Sequence, residues 1–256
     1  VQQFKPSGGL ITVCAADIEP EQVEWLVDQS FPLGMLAVIG GLPGLGKSQI
    51  SINLAAGVTT GKNLPGASDF KNLGSVIILA NEDDAARTIR PRLDAAGADI
   101  SKVHIVEGVA REGAEVDLFQ LDQDISDLRE RALQIGDVRL IIIDPPSAYL
   151  GTKVDSYKDS DVRRVLMPLG NLSQETGALI LLIVPLNKRT DGGAQQRFSG
   201  STAWTAAPRV GFMVVEDPLT KNRLMLPVKN NIGDDRLGYQ YHIAEKLIKY
   251  KQQTIK

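Results

Sequence analysis

Cysteine, histidine and aromatic residues are scarce here: among 256 residues there is one cysteine, two histidines and an aromatic share of 5%. Cys14 alone cannot close an internal disulfide, and His104 and His242 stand too far apart for any metal-ligand spacing. A reducing, cytoplasmic setting is therefore expected. Long apolar runs are missing too. Met35 to Leu42 and Ala178 to Leu186, the most apolar stretches, fall far short of the ~20 residues that cross a bilayer. The chain does not open on a basic segment followed by an apolar one, so neither export nor a membrane partner is expected. Nor is charge of one sign in excess: 28 Lys and Arg against 31 Asp and Glu leave a formal charge of -3. The surface as a whole is no polycation, and contact with nucleic acid would need a local basic patch or loop. With 43% hydrophobic and 23% charged residues, collagen-like and wholly disordered chains are excluded.

What is present is an alternation. Short apolar runs rich in β-branched residues, at Met35 to Ile39, Ser75 to Ala80, Val103 to Val106, Arg139 to Ile143 and Ala178 to Val184, alternate with segments of helical spacing. That pattern predicts an α/β fold with a mainly parallel central sheet of five strands buried on both faces and flanked by helices. Crossover helices are predicted at Ser48 to Thr60 (Ile50, Leu54, Val58), at Leu121 to Gln134 (Ile125, Leu128, Leu133) and at Asp159 to Thr176. After Arg197 the texture changes. Arg209 to Val215, Arg223 to Val228 and Tyr239 to His242 read as strands of a C-terminal antiparallel extension, parted by turn-rich segments. Residues 1–30 read as an arm ending in a short helix around Glu21 to Val27, residues 31–245 as the main domain, and residues 246–256 as a basic tail.

Gly41-Leu42-Pro43-Gly44-Leu45-Gly46-Lys47-Ser48 matches G-x-x-x-x-G-K-[ST], after an apolar strand and at the start of an amphipathic helix, the context that a phosphate loop requires. Glycines let backbone N–H groups converge on phosphate oxygens, Lys47 supplies a point charge to the β and γ phosphates, and the Ser48 hydroxyl suits Mg²⁺. Gln49, next along the helix, joins this candidate ATP-contacting set. A second Mg²⁺ acid is expected at the end of another strand, and Arg139-Leu140-Ile141-Ile142-Ile143-Asp144 supplies Asp144, the Walker B candidate. Pro145 follows it, so the water-activating base does not stand beside that aspartate. Glu82, just past Ser75 to Ala80, lies on the same edge and suits that role; a solvated turn acid is the alternative, since Asp83 and Asp84 follow.

Together these residues resemble the RecA-like P-loop ATPases, in particular the branch of the hexameric plasmid replicative helicase RepA and the RecA-like ATPases of mobile elements. The resemblance runs from about Leu33 to Gly233. It is carried by Gly41 to Ser48, Asn81-Glu82-Asp83, Arg90-Pro91-Arg92-Leu93, Ala96-Gly97-Ala98, Asp144, Leu186-Asn187-Lys188, Gly200-Ser201 with Arg209, and Val228-Lys229-Asn230. It implies Mg²⁺-dependent ATP hydrolysis by a homo-oligomeric ring, a hexamer, acting on DNA in replication or recombination. By the same resemblance Glu82 is the catalytic glutamate, Asp144 the Walker B acid, Arg209 an arginine finger reaching a neighbour's γ-phosphate, and Lys229 a second cation in trans.

Two loops of such ATPases touch nucleic acid. Here they are Leu150 to Asp161, of mixed charge, and Asn187 to Gly200, which carries Lys188, Arg189 and Arg197 among glycines and is the candidate contact for single-stranded DNA. Tyr149 and Tyr157 are the aromatic residues available near the first loop for base stacking. One departure stands out: family members carry a γ-phosphate-sensing histidine at the end of the fifth strand, where this chain has Val184 and Pro185. Proline offers neither a side-chain donor nor a backbone N–H. This opens a second reading, a nucleotide-gated regulatory or scaffold protein with weak hydrolysis. A small-molecule kinase stays open as well, whereas a GTPase switch lacks both the aspartate of N-K-x-D and the glycine of D-x-x-G.

Overall fold

The computed structural model describes residues 12–62, 72–111, 116–152, 154–186, 201–250 and 253–255. Its elements are β1 (Trp25–Val27), β2 (Phe31–Pro32), β3 (Leu36–Gly41), α1 (Lys47–Thr60), β4 (Ser75–Leu79), a π-helical turn (Ala85–Ile89) leading into α2 (Arg90–Ala96), β5 (Val103–Ile105), α3 (Ile125–Ile135), β6 (Val138–Ile143), α4 (Asp159–Thr176), β7 (Leu179–Pro185), α5 (Ala203–Ala206), β8 (Val210–Glu216), β9 (Arg223–Asn230), β10 (Tyr239–Tyr241), β11 (Ile248–Tyr250) and β12 (Gln253–Ile255).

Eight strands form one sheet in the order β10-β9-β8-β3-β7-β6-β4-β5. From β8 to β5 every pairing is parallel. Alternate side chains of these strands enter two cores, one on each face. Val38, Ile77, Ile141 and Ile180 meet α3 and α4 through Leu128, Val165, Leu166 and Leu169. Ala37, Val76, Leu140 and Leu179 meet α1 and α2 through Ile52, Leu54, Val58 and Leu93. A strand buried on both faces has no polar side to alternate with, which is why these runs read as continuous apolar sequence.

Three expectations need correction. The parallel part has six strands rather than five, because β8 pairs parallel to β3, and the antiparallel extension begins only at β9. Residues Trp25–Val27 form a strand, not a helix: Trp25 pairs with Pro32 across a tight turn whose Gln29 has φ 55°, and this points Leu26 and Val27 into the core beside Phe31. Leu133 is 50% exposed, and Ala132 fills the α3 core position in its place. Within residues 246–256, β11 and β12 pair antiparallel.

Candidate nucleotide site

Three parallel strands deliver the candidate residues to one edge of the sheet, the carboxyl edge where open α/β sheets bind ligands. β3 ends at Gly41 and opens the phosphate loop, β4 is followed by Asn81 and Glu82, and β6 by Asp144, whose amide continues the sheet by donating to the Leu79 carbonyl at 2.9 Å. The loop depends on backbone that only glycine adopts readily. Gly44 and Gly46 have φ of 82° and 92°, and a Cβ on Gly46 would stand 2.4 Å from Ile243 Cδ1. Lys47 begins α1 and donates from Nζ to the Leu42 carbonyl at 3.1 Å. Burial lowers its pKa, partly opposed by the Asp144 carboxylate.

The Ser48 hydroxyl lies beside the Asp144 carboxylate on one small cavity. Burial raises the Asp144 pKa; Ser48 and Lys47 oppose this, and the charges of Asp83 and Glu82 reinforce it. A hydroxyl beside a desolvated carboxylate offers hard oxygen donors of the kind Mg²⁺ takes, while no three acids are grouped closely enough to hold a metal among the described residues. Mg²⁺ fits these donors, and Ser48 and Asp144 would hold it.

The three consecutive acids after β4 have separate fates. Asp83 pairs with Arg92 at 2.8 Å. Asp84 caps the π-helical turn, accepting from the Arg87 amide at 2.6 Å. Glu82 is exposed, and among the described residues no ion pair or hydrogen bond engages its carboxylate. Exposed and unpaired, Glu82 fits the solvated turn acid as well as it fits a base, and its charge is felt at Asp144.

Tyr149, 3% exposed, is not available for stacking on bases. Its ring meets Phe119 edge to face with centroids 6.1 Å apart. Its hydroxyl is buried near the Asn81 backbone, yet no described group meets it with hydrogen-bonding geometry. Burial pushes its pKa up to about 12, with Asp144 and Glu82 acting in the same direction. Tyr157 remains 70% exposed. Pro185 ends β7 opposite Gly41, so the position of the absent histidine borders the phosphate loop.

Sequence reading missed the C-terminal residues over this loop. The Tyr241 hydroxyl donates to the Leu45 carbonyl at 2.7 Å, Ile243 covers Gly46, and Lys246 donates to the Ala95 carbonyl at 2.8 Å. No local motif marks them, because only the return of β10 beside β9 brings them there.

Arg209 and Lys229 lie at the opposite edge. Arg209 precedes β8, its amide donating to Leu36 at the start of β3, and Lys229 stands opposite Gly211. From Leu36 to Gly41 a strand advances roughly 16 Å, so neither cation shares its own protomer's phosphate loop. Lys229 is not a solvated strand lysine. It is half-buried and donates to the carbonyls of Thr205 at 3.2 Å and Ala206 at 2.5 Å. The loop from Asn187 to Gly200 lies outside the described residues.

A family model described as "AAA domain" matches residues 7–191. The chain belongs to this AAA domain family. Its phosphate loop, Glu82 and Asp144 all fall inside the match, and Arg209 and Lys229 fall beyond it. Among solved structures, the ATPase domain of G40P is similar with a TM-score of 0.56 and 12% identity, covering 80% of this chain and 80% of that one. The likeness is one of fold. No curated protein matches, and no helix among the described residues is long and apolar enough to cross a membrane.

Proposed function

We propose that this AAA domain protein is a Mg²⁺-dependent ATPase of the RecA-like, plasmid RepA type that works as a head-to-tail ring, a hexamer, on DNA. The observation that carries this reading is the division of the chemistry between two edges of one sheet. Phosphate loop, Asp144 and Glu82 occupy one edge, while Arg209 and Lys229 occupy the other, too far away to serve the same nucleotide. A head-to-tail contact between copies brings the two edges together, and repetition about an axis closes a ring.

In this reading Lys47 and the loop amides bind the phosphates of ATP. Bound Mg²⁺ would neutralise charge on the β and γ oxygens. Glu82 accepts a proton from the water that attacks the γ-phosphorus in line, the bond to the β,γ-bridging oxygen breaks, and ADP and phosphate leave. Arg209 and Lys229 of the neighbour stabilise the transferring group, a contribution worth about 10³ to 10⁵ in rate for arginine fingers. Single-stranded DNA is the proposed partner of residues Asn187 to Gly200 on the strength of their composition.

Pro185 favours a second reading, in which ATP gates an oligomeric scaffold and turns over slowly, since the edge of the loop that would sense the γ-phosphate has no donor there. Steady-state hydrolysis by wild type and Glu82→Gln, over a range of protein concentrations with and without single-stranded DNA, separates the two. Turnover that depends on Glu82, rises with assembly and responds to DNA supports the motor; tight ATP binding with negligible turnover supports the scaffold.

A further inference from the structure

A second group of charges, which the nucleotide site of the same protomer cannot use, lies at the amino edge of the sheet. On α4, Arg164 pairs with Asp161 at 3.3 Å, but its neighbour Arg163 is exposed with no carboxylate within 4.0 Å among the described residues. The acid whose charge it does affect, Asp159, is already engaged by the hydroxyls of Ser201 and Thr202. Arg163 and Arg209, from different elements, line one cavity of about 250 Å³, floored by Gly34 and Met35 and bordered by Gln174 and Ala207. Lys229 adjoins it, with its ammonium on the carbonyl end of α5. Burial lowers the Lys229 pKa, and the charges of Arg209 and then Arg163 lower it further. Three cations that repel one another beside an open cavity are a site for a multiply charged anion, whose arrival removes the repulsion.

We propose that Arg163 joins Arg209 and Lys229 in a three-cation site that takes the γ-phosphate of ATP held by a second copy of this chain. The proposal rests on the trans reading of Arg209 and adds to it a third phosphate contact and the cavity that receives it. Charge complementarity identifies the occupant. The carboxyl edge presents a phosphate loop beside exposed Glu82 and Asp84, and the amino edge of the next copy meets it with Arg163, Arg209 and Lys229. Two guanidinium groups offer planar pairs of donors that match phosphate oxygens. Met167, 70% exposed on the cavity wall, gives the contact an apolar border.

The test uses the full chain as wild type, Arg163→Ala, Arg163→Lys and Arg209→Ala, each alone and mixed with Lys47→Ala. Turnover is followed against protein concentration, affinity with a fluorescent ATP analogue, and assembly by sedimentation velocity with ATPγS. Arg163→Ala is expected to bind the analogue like wild type and to assemble, yet to lose about tenfold or more of the turnover reached at high concentration. Arg163→Lys should keep part of that turnover. Mixing Arg163→Ala with Lys47→Ala, whose cations are intact, should restore it, because the intact phosphate loop of one meets the intact cations of the other. If Arg163→Ala turns over within twofold of wild type while Arg209→Ala does not, the role of Arg163 is overturned and the trans reading of Arg209 stands. Failure of Arg163→Ala to assemble, or loss that mixing does not restore, also overturns the phosphate contact. Normal turnover by Arg209→Ala brings down the trans reading itself.

Discussion

The Ser48 hydroxyl lies beside the Asp144 carboxylate, setting the first turn of α1 against the end of β6. The two oxygens proposed to hold a divalent cation are thus already together, and the pair brings the phosphate loop into register with the strand two places away in the sheet. The proposed hydrolysis needs both, and the energetics of Asp144 make the pairing measurable.

Burial raises the Asp144 pKa in the folded protein. A carboxyl raised on folding adds stability below its unfolded pKa, and that stability is lost as pH rises through the folded value. A bound cation favours the carboxylate instead, so stabilisation of the protein by Mg²⁺ with ADP should strengthen as pH rises from about 4 to 7. Thermal unfolding at a series of pH values, with and without the ligands, measures this. Asp144→Asn should flatten the dependence; a variant profile as steep as wild type would place the titrating group elsewhere.

Lys47 carries the opposite sign. Its pKa is lowered, first by burial, so its charged form is disfavoured in the free protein. The free protein therefore gains stability as pH rises through the lowered pKa, while ATP, which needs the cation, is held less tightly there. Affinity for a fluorescent ATP analogue should decline at a pH below the ~10.4 of an ordinary lysine. Lys47→Arg, permanently charged, should show no such decline whatever its absolute affinity.

Local patterns made much of this legible. Gly41 to Ser48 and the apolar strand before Asp144 are contiguous in sequence, and their residue types follow from backbone contacts with phosphate and from burial on both faces. Residues Trp25–Val27 misled because a run of three apolar residues is too short to show either a helical or a strand period, and only the Trp25 to Pro32 pairing decides. α2 went unread behind Pro91, which sits in its first turn, where proline is tolerated. Arg163, Tyr241 and Ile243 carry no signal at all in sequence. Their places follow from the packing of α4 and the return of the last strands of the sheet.

Ile243 makes the loop's tolerance testable. At Gly46 a side chain would adopt φ 92° and also meet Ile243 Cδ1 at 2.4 Å. Gly46→Ala should lower both stability and nucleotide affinity. Adding Ile243→Ala removes the clash but not the left-handed backbone, which alone costs about 1 to 2 kcal/mol. The double variant should therefore recover only part of the loss in urea unfolding. Full recovery would mean that the loop relaxes its backbone freely, contrary to a preformed phosphate cradle.

Tyr149→Phe offers the converse case, a deletion expected to cost nothing in stability. The ring is fixed by burial and by Phe119, and the substitution keeps both; only a hydroxyl without a described partner is removed. An unsatisfied buried hydroxyl carries a desolvation penalty of about 1 to 3 kcal/mol, so its removal should leave the free protein equally stable or more stable in urea unfolding. Because burial and the charges of Asp144 and Glu82 keep the phenol protonated well above neutral pH, no ionisation competes with this effect. A loss exceeding about 1 kcal/mol would show that the hydroxyl has a partner in the free protein, with the Asn81 backbone beside it the first to examine.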